Sequence, residues 1–137
     1  MKISAEQKFG NRSRVILVKR TAPSSDPEHE KNLFQEFREL AKAAGYLPVG
    51  ELTQIRYPDS RYQLGRGKIE ELAELVRNTG AEKVIFYNRL STTQLFNISE
   101  ICRCQIMDKF QLILEIFAKR ATTHRSKLQV ELARLRY

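Results

Sequence analysis

The sequence predicts an α/β fold: a four-stranded parallel sheet of order 2-1-3-4, flanked by helices, with a C-terminal helix extending from the globule. Three observations predict it. Short apolar runs of strand length alternate with segments whose apolar residues recur at helical spacing. Glycines and capping residues stand at the joints. Alternating strands and helices require parallel pairing, and the right-handed crossover rule leaves few arrangements of four strands. The order itself is chosen by analogy with doubly wound sheets.

Arg14–Lys19 (RVILVK) is the first strand, apolar and β-branched enough to be buried on both faces. Thr21–Pro27 is a loop in which Ser25 or Asp26 can cap the next helix, with Pro27 in its first turn. Glu28–Ala44 is that helix, with Leu33, Phe37, Leu40 and Ala44 on one face and Gly45 as its stop. Leu47–Ile55 is the second strand. Arg56–Gly67 (RYPDSRYQLGRG) has turn chemistry and no periodicity. Lys68–Thr79 is a helix facing inward with Ile69, Leu72, Ala73 and Val76, closed by Gly80. Glu82–Tyr87 is the third strand. Ser91 caps a helix reaching about Ile101, and Gln94 completes a capping box. Cys104–Met107 is the fourth strand, and Asp108 can cap the helix after it. The apolar segment Phe110–Phe117 then runs into a basic hinge holding Lys119, Arg120, Arg125 and Lys127. A last helix, from about Thr123, leaves the globule.

Chain length and composition bound the rest. The sequence has 137 residues, the size of one domain, and 42% apolar residues, enough for a core. Residues 1–120 are read as the α/β domain and 121–137 as the start of a long helix. No run of about 18 apolar residues exists, so no membrane span is expected. The opening MKISAEQKFGNRSR has no apolar signal segment, so a cytoplasmic protein is expected. Cys102 and Cys104, one residue apart, are read as packing or surface thiols and not as a disulfide or shared-metal pair.

The net charge of +8 is segregated. Residues 1–20 carry six Lys/Arg against Glu6, residues 56–68 carry four against Asp59, and residues 119–137 carry six against Glu131. Such clusters suit a polyanion such as RNA. In the loop, Gly65-Arg66-Gly67-Lys68 opens a helix. Gly65 and Gly67 allow close backbone approach to an anion, and Arg66 and Lys68 add charge. Arg56, Arg61 and the rings of Tyr57 and Tyr62 complete a nucleic-acid contact loop. In the hinge the corresponding residues are Lys119, Arg120, Arg125 and Lys127.

Catalytic constellations are lacking. Gly45–Gly50 has the glycine spacing of a P-loop, but Glu51 and Leu52 stand where Lys and Ser/Thr are needed. His29 and His124 have no nucleophile or carboxylate at working spacing. Glu70, Glu71 and Glu74 read as a solvated face. Leu128, Leu132 and Leu135 share one face of the last helix, with no later segment to cover it, so a larger protein or a partner is expected there.

GELTQ (Gly50–Gln54), LGRGKIEEL (Leu64–Leu72), VIFYNRLSTTQ (Val84–Gln94) and LILEIFAKRATTHRSKLQVELARLRY (Leu112–Tyr137) together resemble the N-terminal domain of the HflX-type GTPases. The resemblance covers nearly all of the chain after the first dozen residues. Tyr87 and Asn88 stand where the family is usually acidic, Thr92 where it has Pro, Asp108-Lys109 where it has Asp-Arg, and Arg125 where acids are common. Together these departures make the surface more basic.

The resemblance implies an α/β domain followed by two long antiparallel helices and a GTPase domain, the whole docking on the large ribosomal subunit and helping to separate or rescue ribosomes. This chain would then be the ribosome- and rRNA-binding module and no enzyme. No cofactor is expected in it, since GTP and Mg2+ belong to a GTPase domain acting in cis or in trans. Two alternatives stay open: a nucleotide-binding α/β domain, and a homodimer through the C-terminal helix.

Overall fold

A computed structural model describes residues 12–136. Its elements are β1 (Arg14–Thr21), α1 (Pro27–Ala43), β2 (Leu47–Ile55), α2 (Arg66–Thr79), β3 (Lys83–Phe86), α3 (Thr92–Cys102), β4 (Gln105–Asp108) and α4 (Lys109–Arg136). The sheet order is β2-β1-β3-β4 and every pair is parallel, as expected.

Handedness then distributes the helices. The first crossover runs one way along the sheet and the next two run the other way, so α1 covers one face while α2 and α3 cover the opposite face. Ile16, Val18, Val84 and Phe86 pack beneath α2 and α3 with Ile69, Leu72 and Ile98. Val15, Leu17 and Ile85 pack on the other side with Phe34, Phe37, Ala41 and Leu112, from α1 and α4. Strict alternation along β1 feeds both cores.

Caps obey the residue chemistry. Asp26 accepts from the Glu28 N–H, and Ser91 and Gln94 form the reciprocal capping box. Asp108 and Gln111 do the same at the root of α4, each side chain accepting the other's backbone N–H. Gly80 ends α2 at φ +67°, where a Cβ would meet nothing within 4 Å. Gly80→Ala is therefore a purely conformational change. It should cost about 1–2 kcal/mol, read as a lower midpoint in thermal unfolding.

Two expectations need correction. Residues 119–127 form no hinge: α4 is one continuous helix of 28 residues, about 42 Å long. None of them is Gly or Pro, so nothing interrupts the helical hydrogen bonds. The buried face of α1 uses Phe34, Phe37 and Ala41, with Leu33 only half-buried at its margin. The apolar segment at the start of α4 is mostly outside the core. Leu112 is fully buried, whereas Phe110, Leu114 and Phe117 are exposed.

Candidate nucleic-acid interface

The 56–65 loop leaves the carboxyl end of β2 and is held in place by polar side chains. The Asp59 carboxylate accepts the backbone N–H groups of Arg61 (2.8 Å) and Tyr62 (2.9 Å). Gln94 donates to the Asp59 carbonyl, and Asn97 donates to the Arg61 carbonyl, tying the loop to α3. Gln63 is buried at φ +65°, a conformation that its hydrogen bonds must support. It accepts from Arg20 Nε (2.6 Å) and donates to the Arg89 carbonyl (3.0 Å), while Arg20 Nη1 reaches the Arg56 carbonyl.

These contacts fill the crevice between the carboxyl ends of β1 and β3, where connections diverge and where open α/β sheets bind ligands. Asn88 closes it further by bonding both backbone groups of Arg20. Nearby, Lys19 is buried, paired with Glu30, and set over the Tyr87 ring, 4.3 Å from its centroid.

The cations of the loop differ in freedom. Arg66 pairs with Glu70 and also donates to the Tyr62 hydroxyl, over whose ring it lies. Lys68 pairs with Glu71, and Arg56 lies 3.7 Å from Asp59. Arg61 is exposed and its guanidinium makes no hydrogen bond or ion pair among the described residues. The Tyr57 ring is 72% exposed, open for stacking. The Gly65–Gly67 anion site is narrower than expected. The Gly65 N–H already donates to Gln54, and Gly67 lies inside the first turn of α2 with open space beside it.

The other expected basic residues lie elsewhere. α4 starts at the carboxyl end of β4 and runs back to the amino edge of the sheet, where Lys119 donates to the Ala44 carbonyl at the end of α1. Lys119, Arg120 and Lys127, with His124, line a groove against Ala43 and Ala44, and Arg125 does not line it. Loop and helix clusters therefore occupy opposite edges. Of the N-terminal cluster, residues 1–11 lie outside the described residues.

Leu128, Leu132 and Leu135 are 51%, 57% and 81% exposed. Phe110, Leu114 and Phe117 extend the seam toward the root of α4, at alternating spacings of four and three. Sequence reasoning missed Gln63, Asn88, Arg20 and Lys83, because each acts through a partner distant in sequence.

Burial lifts the Cys102 thiol to about 12 and the Cys104 thiol to about 11, so neither supplies thiolate at neutral pH. Among the described residues no His, Cys, Asp and Glu group is placed to hold a metal ion, and no helix is long and apolar enough to cross a membrane.

The Arg61 and Tyr62 N–H groups, with the charges of Arg56 and Arg61, hold Asp59 below the ordinary carboxylate range. The bond from Lys19 does the same to Glu30. A depressed carboxylate stabilises the fold above its unfolded-state value and loses that contribution as pH falls through the folded-state value. Acid unfolding should therefore steepen below about pH 4. Asp59→Asn keeps an acceptor for the turn and removes the charge, so its stability should vary less with pH there, as read by urea unfolding from pH 2 to 5.

Known proteins agree with this architecture. Residues 31–118 match the family model described as GTP-binding GTPase N-terminal. GTPase HflX of Thermofilum pendens is 45% identical over 126 residues, covering 91% of this chain and 29% of that protein. GTPase HflX of Thermococcus kodakarensis is 50% identical over 102 residues, covering 74% and 23%. The chain thus spans less than a third of the length of these relatives. A crystal structure of a GTP-binding protein from Sulfolobus solfataricus in complex with GDP shares the fold, with TM-score 0.58 and 22% identity over 90% of this chain and 36% of that one. The chain belongs to the GTP-binding GTPase N-terminal family and corresponds to the N-terminal domain of HflX-type GTPases.

Proposed function

We propose that this domain is an RNA-facing docking module that seats an HflX-type GTPase on the large ribosomal subunit. The observation that carries the reading is the carboxyl-edge loop. Arg56 and Arg61 share the loop with an exposed Tyr57, and Arg66 and Lys68 follow in the first turn of α2, on a backbone pinned by Asp59 and Gln63. A loop ordered before binding loses little entropy when it docks, so its cations can be spent on phosphate contacts. Arg61 needs no ion pair broken first. Arg66 and Lys68 exchange solvent-screened pairs with Glu70 and Glu71.

The domain hydrolyses nothing in this reading. GTP and Mg2+ belong to a GTPase domain, in cis or in trans, and the working compartment is the cytoplasm. Nucleotide binding by the domain itself is disfavoured because Gln63, Arg20 and Asn88 fill the crevice where it would sit. The exposed seam of α4 favours one further contact, an apolar helix supplied by the same protein or by a partner.

Co-sedimentation with purified large ribosomal subunits, at low and at physiological salt, tests the reading. Saturable pelleting that weakens as salt rises is expected. No pelleting at low salt would remove rRNA docking as a property of this domain.

A further inference from the structure

We propose that the amino edge of the sheet carries a second RNA-phosphate site, separate from the carboxyl-edge loop, so that one chain grips two stretches of RNA backbone at once. The proposal rests on the RNA-binding reading above and concerns how many sites serve it.

The site is the groove between the end of α1 and the middle of α4. It consists of two adjoining hollows of about 550 and 320 Å³. Lys119 sits on the shared rim, and Arg120, His124 and Lys127 stand along α4 beyond it. Lys83 enters from the start of β3, donating to the Tyr46 hydroxyl at 3.0 Å, and that hydroxyl donates to Glu115. Among the described residues that line the groove, the one carboxylate, Glu115, is thereby hydrogen-bonded by a phenol. Arg120 and Lys127 have no ion-paired partner among the described residues.

The spacing selects a polymer. Arg120 and Lys127 are seven residues apart on one helix face, roughly 10 Å along the axis. A single small anion cannot bridge that distance, whereas a chain of phosphates can. Around α4, Arg120 and Lys127 each lie about a quarter turn from Leu128.

The ground between the edges makes them two sites and not one broad one. β1 has eight residues, so the edges are roughly 25 Å apart. That is about three Debye lengths at physiological salt. Between the edges α1 presents Glu36 and α2 presents Glu74, exposed acids that oppose a continuous phosphate track. Each edge therefore attracts its own RNA segment. An RNA long enough to reach both gains from the second contact without any new chemistry.

Isothermal titration of the whole chain with a single-stranded RNA of about six nucleotides, at low salt, tests this. Two RNAs per chain are expected. Arg120→Glu with Lys127→Glu should leave one, and Arg61→Glu with Arg66→Glu should leave the other, with circular dichroism unchanged in both. An RNA of about 40 nucleotides should bind the unaltered chain at least ~100-fold tighter than the short one, and either pair of reversals should remove that gain. A single RNA lost on reversing either edge would overturn the proposal while keeping the RNA reading. Binding confined to the loop would also overturn it, leaving the groove to an acidic protein surface. No RNA binding at all would sink the RNA reading and this proposal with it.

Discussion

Replacing Arg61, Arg66 and Lys68 together by Glu should abolish pelleting with large ribosomal subunits and leave the fold intact. Each phosphate contact contributes roughly 0.7–0.9 to the slope of log affinity against log salt. Three lost contacts therefore lower the slope by about 2–3, and the introduced carboxylates add repulsion. The structural cost is small. The Arg66–Glu70 pair is exposed and the Lys68–Glu71 pair is partly exposed, and solvent screens both. Carboxylates at positions 66 and 68 would stand in the first turn of α2, where the helix dipole favours them by about 0.3–1 kcal/mol. Their repulsion from Glu70 and Glu71 offsets that gain. Sedimentation at several salt concentrations, with a thermal melt as control, reads both effects. Unchanged affinity would remove the loop from the interface.

Leu112→Ala should be the most damaging single change in α4. Leu112 is the only side chain of that helix that is fully buried among the described residues, packed with Phe37 and Ile85 of the second core. Truncating a buried Leu costs about 2–5 kcal/mol, against a total of about 5–15 kcal/mol for a domain. With a urea slope of about 1–3 kcal/mol/M, the midpoint should fall by about 1 M or more. The groove at the amino edge uses α4 as one wall, so phosphate binding there should weaken before binding at the loop. A loss below about 1 kcal/mol would mean that the helix is held elsewhere.

The architecture was largely legible in the sequence. Apolar runs marked strands, glycines marked helix ends, and the handedness of crossovers left little freedom in strand order. The Ser91–Gln94 box was readable because a capping box is a contact between residues three apart. Residues that meet over long separations were not readable. Gln63 is a plain polar residue in a loop until it meets Arg20 and the Arg89 carbonyl. Lys83 is a strand-end lysine until Tyr46 approaches it. Continuity of α4 was also missed, because a dense run of basic residues looks like a break when nothing in their chemistry stops a helix.

Sequence alone determined which residues form the strands and helices and where the positive charge is concentrated, since those depend on local propensity, periodicity and composition. Only the tertiary structure decided that two basic clusters stand at opposite edges, and that the crevice between β1 and β3 is filled. Both depend on where the chain returns after a crossover, and α4 retraces the sheet from its carboxyl to its amino edge before leaving it.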